Sequence, residues 1–214
     1  MADTATESEL TDGNGKRILR PTLHHTGNYT TRIEEMLEWY RNVLGMQITL
    51  SAEPFEAHWV TNDEMHHRMS FARTANLKPD AVRDSACINH QAFEYPSIDD
   101  LLETWERLKD LGIFPHTTVD HGPSFAFYYW DPDGNNVELL ADAWGDAGAS
   151  LQAMRSPDLA RNPMGKNVDP AKLLEARRNG MPLGELHERA MRGEFGDEWK
   201  PQDGDHFVRD GVVE

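Results

Sequence analysis

Three residues of this 214-residue chain have the types and spacing to bind a metal: His25 in LRPTLHHTG, His90 in INHQAF and Glu138 in DPDGNNVELL. Each sits in a short apolar, strand-like segment, and a helix-patterned segment follows each histidine. Two imidazoles and one carboxylate can hold a divalent ion on one face and leave the opposite face open, which suits non-haem Fe(II) oxygen chemistry. A lone histidine on a strand is ordinarily structural. Two at matching positions of a repeat, joined by a glutamate on a final strand, are a stronger signal.

A repeat is what must position them. Residues 1–18 are polar and turn-rich, and are expected to form a disordered arm. In the first unit, Thr22–Gly27 reads as a strand. Thr31 with Glu34 then forms a capping-box pattern before a helix carrying Ile33, Met36, Leu37, Tyr40, Val43 and Leu44 on one face. Gly45 is a natural helix stop, and strands are expected near Gln47–Leu50, His58–Thr61 and Arg68–Phe71. The second unit repeats the plan: a strand at Ala86–Phe93, a capping box at Ser97 and Asp100, and an amphipathic helix from Ile98 to Leu111 ending at Gly112. Strands follow near Ile113–Thr118, Ser124–Trp130 and Asn136–Ala141, the last two joined by the turn Asp131-Pro132-Asp133-Gly134.

The expected fold is therefore α+β: two βαβββ modules, about 19–75 and 84–146, making one domain over 19–146. A partly helical C-terminal extension covers 147–214. One helix is expected from Asp169 as N-cap and Pro170 at the first turn to Gly180 past the end, and another over Leu183–Arg192. Packing of these helices on the domain and packing on a partner subunit are both compatible with the sequence.

Strand alternation puts Leu23, His25 and Gly27 on one face, and Ile88, His90 and Ala92 on one face of the equivalent strand. Pseudo-twofold symmetry between the modules would aim both histidines into one concavity, with His24 pointing the other way. Ser124, Ala126, Tyr128 and Trp130 share a face, which turns Tyr128 across the hairpin toward Glu138. For most of the aromatic run from Phe125 to Trp130, a core or interface role is expected. Taken alone, His66 and His67 after Asn62-Asp63-Glu64 read as a solvated loop, and His121 in Asp-His-Gly-Pro as a turn residue. His58, His116, His187 and His206 fall in no pattern.

The formal net charge of −16 argues against a nucleic-acid binder, because phosphate contacts need clustered Lys and Arg. The one cysteine, Cys87, is expected in the core; it permits no intrachain disulfide and fits a reducing compartment. The N-terminus lacks the basic start and apolar stretch of a signal peptide, and no apolar run approaches membrane-spanning length. A soluble, cytoplasmic protein is expected.

The segments TLHHTG, EWYRNVLGM, INHQAFEY and HGPSFAFYYWDPDGNNVEL resemble the vicinal oxygen chelate superfamily, which unites glyoxalases, bleomycin resistance proteins and dioxygenases. Within it they look most like single-domain type I extradiol catechol dioxygenases, over roughly residues 20–145. The resemblance implies Fe(II), or Mn(II) on the same ligands, held by His25, His90 and Glu138. It implies His67, from the HH-x-x-x-F segment, as general base and acid. Tyr128, ten positions before the metal glutamate, and His121 would contact substrate. The implied substrates are a catechol-type aromatic and O2, and the implied assembly is a homodimer or higher homo-oligomer.

Asn89 stands where many relatives carry a second histidine. Glyoxalase-type relatives need a fourth ligand, a glutamate on the last strand of the first unit, and HRMSFAR offers no carboxylate. Three open octahedral positions suit a bidentate catecholate plus dioxygen. Fosfomycin-modifying relatives also use three ligands, but they are shorter and do not account for His67, His121 and Tyr128. The alternative is a non-catalytic member, or a metal-dependent member of glyoxalase or thiol-transferase type; sequestering members usually lack the triad that this chain keeps.

Overall fold

The computed structural model describes residues 13, 14, 16, 17, 19, 21–52, 55–74, 88–157, 159 and 164–196. Most of the 1–18 arm, Cys87, His206 and the chain beyond 196 lie outside the described residues.

The first module runs β1 (Thr26–Thr30), α1 (Ile33–Leu44), β2 (Gln47–Ala52), β3 (Ala57–Thr61) and β4 (Met69–Arg73). The second runs β5 (Gln91–Tyr95), α2 (Ile98–Asp110), β6 (Thr117–Asp120), β7 (Ser124–Trp130) and β8 (Asn136–Asp142). After it come α3 (Ala147–Met154), β9 (Lys166–Asn167), α4 (Pro170–Arg178) and α5 (Leu183–Met191). The sheets have the orders β1-β4-β3-β2 and β5-β8-β7-β6-β9, and in each the first and last strands of the module pair in parallel. The two βαβββ units are thus present as one α+β architecture.

The first strand of each module starts later than alternation suggests. The first pairs are Thr26↔Met69 and Gln91↔Val137. Residues 21–25 run beside the bend that precedes β4, so they have no ladder to join. His25 and His90 consequently stand at equivalent positions, one residue ahead of the ladder.

Helix α1 also differs in its cap. Arg32, not Thr31, is its N-cap, with no side-chain bond; Arg73 Nη1 instead donates to the Thr31 carbonyl at 2.7 Å. Its stop is as expected, with Gly45 at a left-handed φ of 66°. In α2, Ser97 Oγ accepts from the Asp100 amide at 3.2 Å, and its hydroxyl donates to Asp100 Oδ2 at 2.6 Å.

Both helices pack on one side of the sheets. Met36, Tyr40 and Val43 of α1 bury against Met69 and Phe71, while Leu101, Leu102 and Leu108 of α2 bury with Phe125, Phe127, Tyr129, Val137 and Leu139. Alternation then leaves Gly27 of β1, Tyr128 of β7 and Glu138 of β8 on the faces away from the helices.

The modules are tied through the β7–β8 turn. Asp131 Oδ1 accepts from the amides of Asp133 at 3.0 Å and Asn135 at 2.7 Å; Oδ2 accepts from Asn135 Nδ2 at 2.9 Å and from the Tyr40 hydroxyl of α1 at 3.1 Å. Arg32 Nη1 donates to the Pro132 carbonyl at 2.6 Å. Burial pushes the Asp131 carboxyl above the usual range, against the opposing pull of its bonds from Asn135 and Tyr40.

The extension packs on the domain. β9 pairs antiparallel with β6, and Leu173, Leu174, Leu186, Ala190 and Phe195 join the core. Asp169 caps α4 by accepting from the Ala171 amide at 2.9 Å, with Pro170 in the first turn. Arg177 donates to both oxygens of Asp99 on α2 at 2.7 and 2.6 Å, and Arg178 pairs with Glu106 at 3.0 and 2.7 Å. Gly165 sits so close to β6 that a Cβ would lie 1.9 Å from the Asp120 carbonyl oxygen, and its φ is +72°.

Two outcomes follow. Asp131→Ala strands the buried Tyr40 hydroxyl and the Asn135 donors, and is expected to cost about 2–3 kcal/mol in urea denaturation. The bond from Arg177 holds the Asp99 carboxyl below its usual range. The stabilisation from this pair is therefore fully present above the unfolded carboxyl pKa and is lost as pH falls through the lowered folded value. In acid-side denaturation series, Asp99→Asn should flatten that part of the stability profile.

Candidate active site

Glu138 is reached from the hairpin. The β7–β8 register sets Tyr128 opposite Glu138, and the tyrosine hydroxyl donates to Glu138 Oε1 at 2.9 Å in a buried contact. With its proton committed, the phenolic oxygen accepts from His121 Nε2 at 3.0 Å. His121 sits at the exit of β6, where its amide donates to the Ser124 carbonyl at 2.9 Å. The result is a directed chain: His121 to Tyr128 to Glu138.

The other oxygen of Glu138 faces His90. Oε2 lies 3.0 Å from His90 Nε2. His90 Nδ1 is 2.6 Å from Asn89 Oδ1, which can only accept, so Nδ1 carries a proton. In the neutral ring Nε2 then presents a lone pair to a carboxylate oxygen. Two acceptors at that separation need a proton or a metal ion between them. The donor chemistry therefore fits a divalent cation, and Asn89 supplies the outer hydrogen bond that fixes the ring's tautomer.

His25 lines the same cavity as His90. This cavity, about 590 Å³, opens at the N-terminal ends of β1 and β5 and includes Leu23, His24, Arg68, Met69, Ile88 and Phe93. The His25 ring packs at 4.3 Å from the His67 ring, and its Nδ1 lies 3.1 Å from His24 Nδ1. His24 thus does not turn away as alternation predicts, because its segment is outside the ladder. Of the six site residues named from sequence, His90, Glu138, Tyr128 and His121 form one bonded group, and His25 and His67 a second.

His67 lies in the bend before β4, with its Nδ1 2.5 Å from His66 Nδ1. Desolvation first, then repulsion from His25, His66 and His24, lowers its pKa from the ordinary histidine value. Its ring is therefore neutral, and able to take a proton, at neutral pH. Arg68, the cation lining the cavity, is engaged by Asp63, with Nη2 2.7 Å from Oδ2.

Sequence reasoning missed two histidines. His187 of α5 is buried and bonds through Nδ1 to Asp120 Oδ2 at 2.7 Å, tying the extension to the residue beside His121. Asp120 Oδ1 accepts from the Gly122 amide at 2.8 Å, shaping the same turn. His116 stacks on Trp130 with ring centroids 4.2 Å apart and contacts Asn136 Oδ1 at 3.1 Å. Neither carries a local signal; the helical spacing Leu186, His187, Ala190 is the one hint that His187 faces inward. Two further cavities, of about 560 and 610 Å³, lie along α4, α5 and β9, away from His25 and His90.

A paired-module α+β fold, with His25 and His90 lining one cavity and Glu138 bonded to His90, is an architecture of the vicinal oxygen chelate type. Residues 22–139 match the model of the Glyoxalase/Bleomycin resistance protein/Dioxygenase superfamily, and the chain belongs to that family. Biphenyl-2,3-diol 1,2-dioxygenase 3 of Rhodococcus globerulus is 33% identical over 171 residues, spanning 79% of this chain and 89% of that one. Biphenyl-2,3-diol 1,2-dioxygenase 2 of the same organism is 32% identical over 166 residues, spanning 76% and 85%. Among solved structures, the fosfomycin resistance protein FosX of Listeria monocytogenes superposes with a TM-score of 0.50 at 17% identity, covering 63% of this chain and 98% of that one. That likeness shows the fold. No helix among the described residues is long and apolar enough to cross a membrane.

His187→Ala leaves the fully buried Asp120 carboxylate without its imidazole partner. It is expected to destabilise the protein by about 3 kcal/mol in chemical denaturation, and adding Asp120→Asn should recover part of the loss.

Proposed function

We propose that this protein is an Fe(II)-dependent extradiol dioxygenase that opens an aromatic vicinal diol beside one of its hydroxyl-bearing carbons, placing both atoms of O2 in the product. The enzyme class rests on the two dioxygenase relatives, which match more than three-quarters of the chain. The observation that carries the site is the bonded series His121–Tyr128–Glu138–His90 at the edge of the cavity that His25 also lines.

His25, His90 and Glu138 would hold the ion, and Mn(II) would fit the same hard nitrogen and oxygen ligands. Bound there, the metal supplies Lewis acidity and a redox couple for a diol and dioxygen. Tyr128 fixes Glu138 by donating to Oε1, which leaves Oε2 aimed toward His90. His121, by donating to the phenolic oxygen, keeps that hydroxyl pointed at Glu138. Against His25, the neutral His67 is positioned to accept a proton from a diol hydroxyl and to return one later. Atoms balance without an external reductant: diol and O2 combine into a ring-opened acid bearing a second carbonyl.

The cavity supports an apolar, uncharged substrate. Leu23, Ile88, Met69 and Phe93 present hydrocarbon to a ring, and Asp63 neutralises Arg68. A bicyclic diol of the kind named for the relatives fits this chemistry better than a carboxylated catechol. A cytoplasmic homo-oligomer completes the reading.

The test is anaerobic loading with Fe(II), then oxygen uptake and near-visible spectra across substituted catechols. Oxygen consumption with a new yellow chromophore is expected, largest for aryl-substituted diols; no uptake with any catechol defeats the assignment. Glu138→Ala should lose iron. His67→Ala should retain iron while turnover falls about 100-fold or more.

A further inference from the structure

Among the described residues, the three metal-ligating side chains that draw together include just one ligand of the proposed iron site, His25. One donor atom each from His24, His25 and His67 lies within 4.8 Å of the others. The cluster is two dipeptides set face to face. His24 and His25 touch through their Nδ1 atoms at 3.1 Å, and the ring of His24 lies 4.7 Å from that of His66, next to His67. Side chains hold both backbones: Arg68 Nη1 donates to the His24 carbonyl at 3.2 Å, and Thr49 Oγ1 of β2 to the His66 carbonyl at 2.8 Å. His24 has no part in the proposed ring-cleavage site, although it lines the cavity.

We propose that His24, His25 and His67 form a second metal site, selective for a borderline divalent cation of the zinc class, that overlaps the iron site through His25. The ligand chemistry sets the selectivity. Three imidazoles and no carboxylate form an all-nitrogen donor set that, in the order of divalent affinities, holds Zn(II), Ni(II) and Cu(II) more tightly than Fe(II). Glu138 makes the iron set harder. His25 cannot serve both ions at once, so occupation is mutually exclusive. A zinc-class ion here also immobilises His67, and so blocks the reaction twice over. The neighbouring Nδ1 atoms present no obstacle, since an imidazole can carry its proton on either nitrogen and present the other to metal.

The overlap with iron rests on the proposed function, while zinc binding itself does not. The experiment is calorimetric titration of chelator-stripped, full-length protein with ZnCl2, using wild type, His24→Ala, His24→Gln and Glu138→Ala. A parallel measurement follows Fe(II) uptake with and without one equivalent of Zn(II). Expected are one Zn(II) per chain in wild type, an affinity in Glu138→Ala within about threefold of it, and a loss of about tenfold or more in both His24 variants. Zinc should suppress Fe(II) uptake in wild type and much less in the His24 variants. Unchanged zinc affinity in both His24 variants, or its loss in Glu138→Ala, overturns the proposal. Failure of the dioxygenase reading looks different: Glu138→Ala would take up Fe(II) as wild type does, whatever zinc does.

Discussion

Asp131 stands at the tip of the β7–β8 hairpin, almost wholly buried, and binds its own turn with one oxygen while the other reaches Tyr40 in the first module. Because a buried carboxylate must have its lone pairs met, this turn has few other places to go. The closed turn holds the hairpin register that sets Tyr128 opposite Glu138. The tie to α1 sets where that hairpin lies relative to the first module, which carries His25. Geometry within the second half of the site and placement against the first module both draw on this side chain, with Arg32 adding a second tie at the Pro132 carbonyl.

On this frame the two modules contribute unequally. The second delivers a bonded, ordered series in which the Tyr128 hydroxyl points to Glu138 and the Asn89 oxygen accepts from His90. The first delivers imidazoles crowded on one another, with His25 in contact with His24 and His67 while lining the cavity it shares with His90. In the proposed metal site the bonded half would supply the fixed ligands, and in the proposed zinc site the crowded half would decide competition between cations.

The C-terminal extension belongs to this architecture. β9 widens the second sheet, Gly165 allows the chain to approach β6 closely, and His187 meets Asp120 at the base of the His121 turn. The His187 contact braces the neighbour of His121 from 67 positions away in sequence, which is the ordinary consequence of satisfying a buried carboxylate wherever a donor can be found.

Much of the design was legible in the chain. The two-module repeat, the helices with their apolar stripes, the Gly45 and Ser97 caps and the pairing of Tyr128 with Glu138 all follow from periodicity and turn chemistry, which are local. Where local rules failed, a distant neighbour had intervened. His24 and His25 lie outside their strand because β4 begins only at Met69, and Thr31 gives its carbonyl to Arg73 instead of capping α1. The residue types and spacings by themselves picked out the side chains proposed to bear the chemistry. Only the tertiary structure decided which of them touch, that α4 and α5 pack on their own domain, and that His187 is paired, because burial and long-range hydrogen bonding depend on neighbours that sequence spacing does not encode.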